Sequence, residues 1–131
     1  MGLMELTSQI TFLYFDDLDY AKKFFDDILE LEKAYDPEWA CVWRIGKDAF
    51  IGGVDAKQGS IEVKHRDGLL ISLTVRNIQE VYEKFLTYDL EDMTEIKFFE
   101  DIKLNSFLFT GPEGYKFEIQ EFQSEELREL F

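Results

Sequence analysis

The feature that most constrains this chain is that it repeats itself. Sliding the sequence by 60 residues puts Ile10 on Leu70, Leu13 on Leu73 and Phe15 on Val75. The same shift puts Asp17 on Asn77, Leu18 on Ile78, Ala21 on Val81 and Phe25 on Phe85, so a strand, a helix cap and a helix face recur in order. The later hairpins match at a shift of 65, pairing Gly46 with Gly111 and Val54 with Ile119. A repeat of strand, helix and three strands means two copies of one supersecondary unit. Each copy can bury its helix against one sheet face and leave the other face free to enclose a cavity.

Local patterns fill in the units. Residues 8–15, SQITFLYF, are β-branched and aromatic and predict a strand. Asp17 is a good cap for a helix whose apolar face is Ala21, Phe24, Phe25, Ile28 and Leu29, fading near Leu31–Lys33. After Pro37, Trp39–Ile45 and Ala49–Val54 predict a hairpin turning at Gly46-Lys47-Asp48. In the second unit Leu69–Arg76 alternates as a strand, and Asn77-Ile78-Gln79-Glu80 has the form of a capping box. A strand at Ile96–Phe99 follows, then a hairpin of Asn105–Thr110 and Tyr115–Phe122 about the turn Gly111–Gly114. The boundaries are a single domain over residues 1–131, with module one at about 8–55, a polar connector at 56–68, module two at about 69–122 and a tail at 123–131. The tail predicts a short helix from Ser124 carrying Leu127, Leu130 and Phe131.

Composition removes several classes of function. At 131 residues and 15.5 kDa the chain suffices for one domain, and 46% apolar with 32% charged residues is a soluble, folded balance. No stretch approaches the ~20 apolar residues of a membrane span. The start, MGLMELTSQI, has no basic region and no apolar signal core, and Leu6 stands where a myristoylation site needs Ser or Thr. Cys41 is the single cysteine and His65 the single histidine, so neither an internal disulfide nor a Cys/His zinc site can form, and the expected setting is the reducing cytoplasm. Fourteen basic against 28 acidic residues leave a net charge of −14, which repels phosphate backbones and anionic lipid. Such a surface serves solubility, and it would also favour a cationic ligand. Gly111–Gly114 lacks the Lys-Ser/Thr of a phosphate loop, and a hairpin turn accounts for it.

The segments ITFLYFDDLDYAKKFF, LLISLTVRNIQEVYEKF and FLFTGPEGYKFEIQEF resemble the vicinal oxygen chelate superfamily, which includes glyoxalase I, extradiol dioxygenases and bleomycin-resistance binding proteins. The resemblance spans roughly residues 8–122. It implies an α+β fold of two βαβββ modules in one chain, with mixed sheets curved around a cavity, helices on the outer face, and frequently a homodimer. Enzymes of the family hold a divalent metal there, with a His or Gln on the first strand of each module and a carboxylate on the last. Carried onto this sequence, those positions are Ile10 and Leu70, a residue near Gly53, and Glu118. Only Glu118 can coordinate, a slip of one residue offers only Thr11, Ile71 and Gly52, and a catalytic divalent site needs about three protein ligands. The expectation is therefore no metal and no cofactor.

Strand parity gives the expected lining. Phe12, Tyr14, Ser72, Thr74 and Arg76 share a face with Ile10 and Leu70, and Lys116 and Gln120 share one with Glu118. Pairing across the two hairpin turns adds Val42 and Arg44, and Phe107 and Phe109. The opposite face collects Leu13, Phe15, Trp43, Ile71, Leu73, Val75, Phe117 and Ile119. The candidate ligand-binding residues are thus Phe12, Tyr14, Arg44, Ser72, Thr74, Phe107, Phe109 and Glu118. Each has a plainer role open to it: the aromatics as core, Arg44 as a solvated strand end, Glu118 as a carboxylate bonded to a neighbouring Ser or Tyr.

The expected function is sequestration of a small organic molecule, cationic or aromatic, by a metal-free protein in an aromatic and partly acidic cavity. The alternative is a divergent glyoxalase-like lyase, isomerase or dioxygenase using Glu118. A third reading uses the tail as a dimer or partner contact. The expected partner is the small ligand, with no nucleic acid and no membrane.

Overall fold

Strand β1, Gln9–Phe15, alternates as its sequence dictates: Leu13 and Phe15 are buried on one side, and Ile10 and Phe12 stay partly open on the other. The computed structural model describes residues 2–131; Met1, which the expected domain 1–131 includes, lies outside the described residues. Asp17 ends the strand and caps α1, Leu18–Lys23, its carboxylate accepting from the Tyr20 N–H at 3.1 Å. The helix then widens into one π-helical turn, Phe24–Ile28, closed by Leu29 N–H to Phe24 O. Phe25 of that turn packs 4.5 Å from the Trp43 ring and 6.1 Å from Phe15, both fully buried.

Where the sequence predicts only a fading helix, residues Glu32–Tyr35 form β2. It lies at the sheet edge with every residue exposed, so it carries no alternation to betray it; pairing with β3 and the ion pairs of Glu32 and Lys33 hold it. β3 (Ala40–Ile45) and β4 (Ala49–Asp55) make the hairpin, with Ile45 opposite Ala49 and Gly46 in the left-handed region at φ +63. β4 also pairs in parallel with β1, giving a four-stranded mixed sheet in the order β1-β4-β3-β2.

The second unit repeats that plan. β5 (Leu70–Thr74), α2 (Ile78–Leu86), β6 (Lys97–Phe99), β7 (Leu104–Thr110) and β8 (Lys116–Phe122) build a sheet ordered β5-β8-β7-β6, with β5 parallel to β8. The capping box does not form. The Asn77 amide donates to Glu80 at 3.1 Å, and the Ile78 N–H is taken instead by Glu121 of β8 at 3.0 Å. Phe85 of α2 lies over Phe107 and Phe109 at 6.0 and 5.6 Å. The tail forms α3, Glu125–Leu130, capped by Ser124, and Phe131 stacks on Phe122 at 5.3 Å.

The fold is thus α+β: two open, four-stranded mixed sheets, each beginning a βαβββ module with its helix against one face. The chain divides into two compact units, Met1–Lys64 and His65–Phe131, so the connector is shared between them. Among the described residues no helix is long and apolar enough to cross a membrane.

Candidate functional site

In the first unit, parity on β1 sends Ile10, Phe12 and Tyr14 away from α1. The register continues each into a row: Tyr14 beside Val54 and Ala40, Phe12 beside Gly52 and Val42, Ile10 beside Phe50 and Arg44. The Tyr14 row is covered. Connector residues fold over it, the Ser60 N–H donates to the Tyr14 hydroxyl at 3.0 Å, and Ala56 and Val63 pack on Tyr14, Ala40 and Val54. Gly59 sits so close that a Cβ there would lie 2.2 Å from the Tyr14 ring. The middle row is open. Phe12, 46% exposed, lies against Gly52, where a Cβ would be 2.5 Å from its Cδ1. At the last row the Arg44 guanidinium sits 4.9 Å from the Phe50 ring centre, bonded to Glu32 at 3.0 Å and to the Lys47 carbonyl at 2.9 Å. This face is an aromatic floor with one cation pinned at its end.

The second unit's open face is a polar ladder. Leu70, Lys116 and Thr110 form one row, Ser72, Glu118 and Leu108 the next, Thr74, Gln120 and Ser106 the third. The Ser72 hydroxyl donates to the Glu118 carboxylate, which is half-buried. The Gln120 amide donates to Thr74 Oγ1 at 2.9 Å. Lys116 donates to Thr110 Oγ1 at 2.7 Å and lies 3.6 Å from Asp92, which accepts from the Thr110 hydroxyl at 3.1 Å. Phe122 ends the face, beneath Phe131.

Two expected placements are corrected. Phe107 and Phe109 are 1% exposed and lie on the helix-covered side, with Phe109 stacked on Phe117 at 5.4 Å and Phe107 edge-on to Tyr82 at 5.2 Å. A four-residue turn, Gly111–Gly114, would place Phe107 opposite Glu118. The loop instead runs through Tyr115, so Thr110 pairs with Lys116 and Leu108 faces Glu118. A slip of one residue exchanges the faces of a whole strand. Ser106 and Leu108 therefore occupy the open side. The first-unit counterpart of Glu118, expected near Gly53, is Gly52: Phe12 pairs with Gly52 as Ser72 pairs with Glu118, and a Cβ on Gly53 would meet Leu18 and Phe15 on the helix side. Phe50 was also missed, because its partial burial shows only in the register with Arg44.

Elsewhere, His65 is exposed in the connector and Cys41 is fully buried. Burial pushes the Cys41 thiol up to about 11. Beside it on the helix side runs a network: Lys22 with Asp36 at 2.9 Å, Lys33 with Asp26 at 3.1 Å, and the Trp43 indole N–H donating to Asp26 at 2.8 Å. Donating to Asp26 holds Lys33 above the usual lysine range, and accepting from Lys22 holds Asp36 below the carboxylate range.

The donor set does not fit a metal held by protein side chains. Among the described residues no three His, Cys, Asp or Glu side chains converge. Ile10 and Leu70 offer no donor, Gly52 offers none beneath Phe12, and Glu118 stands alone with Ser72.

No protein-family model and no curated protein matches the sequence. Solved structures do. A lactoylglutathione lyase from Agrobacterium tumefaciens superimposes with a TM-score of 0.71 at 17% identity, over 92% of this chain and 96% of that one. A member of the glyoxalase/bleomycin resistance protein/dioxygenase superfamily from Sphaerobacter thermophilus gives 0.72 at 20% identity, over 91% and 99%. The fosfomycin resistance protein FosX from Listeria monocytogenes gives 0.71 at 16% identity, over 97% and 99%. The chain has the vicinal oxygen chelate fold. At these identities it is the backbone plan that is shared, and on the vicinal oxygen chelate frame this chain sets Phe12 over Gly52 and Ser72 against Glu118.

Proposed function

We propose that the chain is a metal-free small-molecule-binding protein of the glyoxalase/bleomycin-resistance type, which sequesters an organic ligand with an aromatic or cationic group. One observation carries this reading: of the two equivalent carboxylate positions, one is Gly52 beneath the Phe12 ring and the other is Glu118 bonded to Ser72. A ring and a lone carboxylate suit stacking and charge pairing better than metal chemistry. Phe12 and Phe50 supply faces for a planar group, Glu118 the negative charge, and Ser72, Thr74 and Gln120 the hydrogen bonds that orient a polar edge. Arg44 is committed to Glu32 and frames the aromatic floor. In this reading the protein works as a cytoplasmic homodimer with no cofactor, nucleic acid or membrane partner. The likeness to FosX and to the superfamily member from Sphaerobacter supports the glyoxalase/bleomycin-resistance type, while the metal-free part rests on the residues at Gly52 and Glu118.

Native mass spectrometry on the protein as purified, before exposure to chelator, tests this directly. The expected spectrum shows a dimer without stoichiometric metal, carrying an organic adduct. One transition metal per chain would overturn the proposal, as would binding no tighter than about millimolar for every cationic aromatic compound titrated.

The Ser72–Glu118 bond favours one second reading, a divergent lyase, isomerase or dioxygenase in which Glu118 acts as the base. Turnover of a glyoxalase substrate that survives chelator and is lost in Glu118→Gln would move that reading to the front.

A further inference from the structure

The chain holds four arginines, at 44, 66, 76 and 128. Arg44 is paired with Glu32 and Arg66 with Glu113. The guanidiniums of Arg76 and Arg128 have no ion-pair or hydrogen-bond partner among the described residues, in a molecule with twice as many acids as bases. Both line the same small pocket of the second unit, with Thr74, Val75, Glu121, Phe122 and Phe131.

We propose that this pocket binds a small oxyanion, a phosphate-like or carboxylate group, gripped by Arg76 and Arg128. Its volume of about 50 Å³ suits an ion and lies far below the roughly 300 Å³ at which organic-ligand pockets begin. Arg76 lies two residues past the end of β5, and Arg128 arrives on α3, which Ser124 caps and Phe131 anchors against Phe122. The tail thereby brings a second arginine to the pocket that Arg76 lines. Planar forks of N–H donors suit a group with two or more oxygens. Thr74 adds a donor: its oxygen already accepts from Gln120, so its own O–H is free to point at an acceptor. The one acid at the rim, Glu121, has its carboxylate engaged by the Ile78 N–H at the start of α2. The site touches the ligand reading given above only at Thr74, and it involves neither the aromatic floor nor Glu118.

The test is a titration of the full chain with inorganic phosphate, and separately with acetate, at constant ionic strength set by sodium chloride. Arginine side-chain Nε–Hε signals are followed by NMR. Saturable shifts at Arg76 and Arg128 with either anion are expected. Saturation by phosphate alone identifies a phosphate-like source, and saturation by acetate identifies a carboxylate. Arg76→Gln and Arg128→Gln should each weaken binding about tenfold or more, while Lys23→Gln on the first unit leaves it unchanged. Both arginines are exposed, so the variants keep the fold, and the same spectra report it. No saturable shift up to about 20 mM of either anion, or equal weakening in Lys23→Gln, would overturn the proposal.

Discussion

Asp26 shows how much one side chain can hold. Its carboxylate accepts from the buried Trp43 indole N–H and pairs with Lys33, joining the π-helical turn to the core and to edge strand β2. Asp26→Ala removes the acceptor of an N–H carried by a fully buried side chain, so chemical denaturation should show a loss of about 1–3 kcal/mol. Asp26→Asn, which keeps an acceptor oxygen, should lose less. Cys41 gives a second, chemical readout. Its thiol is held at about 11 against an ordinary 9.0, so the fold favours the neutral form. That contribution is intact below the ordinary value and is lost as pH rises through the folded one; Lys33, also raised, acts in the same direction. Asp36, lowered by Lys22, works oppositely, its contribution present above 3.8 and lost as pH falls through its depressed value. At pH 8 an aromatic disulfide reagent should leave native Cys41 unmodified for hours and label it at once in denaturant. Rapid labelling of the native protein would mean that the thiol is exposed by local opening. Residue identity alone made one of these features legible: a lone cysteine among apolar neighbours reads as buried. The bond from the Trp43 N–H to Asp26 does not show, because its partners are 17 residues apart and belong to no periodic pattern.

Elements explain why the sequence told more about the fold than about the site. Asp17 and the turn at Gly46 act locally, through a cap and a positive φ, and both stand where their residue types require. The first hairpin turn had the expected length, so Val42 and Arg44 fall beside Gly52 and Phe50. In the second hairpin Glu113 takes φ 59 and Gly114 φ 89, the loop absorbs Tyr115, and every side chain of β7 changes face. Composition cannot distinguish a four-residue loop from a five-residue loop, yet that difference decides whether Phe107 or Leu108 stands opposite Glu118. Composition makes residues 56–68 a polar connector, and within it Ser60 and Gly59 clamp Tyr14 against its sheet. Gly59→Ala would drive a methyl group into a ring whose hydroxyl is already tethered. The expected cost is about 1–3 kcal/mol, with faster hydrogen exchange at Ser60 as the local signature. Unchanged exchange there would show that the clamp yields freely. At α2, Glu121→Ala should fray the first turn for about 1 kcal/mol, detectable as loss of protection at Ile78 and Gln79 beyond the rest of the helix.

At the scale of the whole molecule, charge is the governing quantity. A net charge of −14 on 131 residues makes self-repulsion a general term opposing the folded state. Raising sodium chloride from about 10 to about 150 mM shortens the screening length from roughly 30 to 8 Å, and the melting temperature should rise by a few degrees. This response is insensitive to which single surface cation is removed, so Arg128→Gln should show nearly the same slope as the parent chain. A bound oxyanion behaves differently. Ligand at ten times its dissociation constant stabilises by about 1.4 kcal/mol, or about 5 °C in a chain of this size. Phosphate compared with chloride at equal ionic strength should therefore add a few degrees to the parent melting temperature and nothing to Arg76→Gln or Arg128→Gln. The low-millimolar range keeps the comparison clear of the surface-exclusion effects that phosphate exerts at high concentration. Equal increments in all three proteins would mean that phosphate acts here only as a screening salt. An increment confined to the parent chain would show that an acidic protein has kept two unpaired arginines on one pocket for an anion to join.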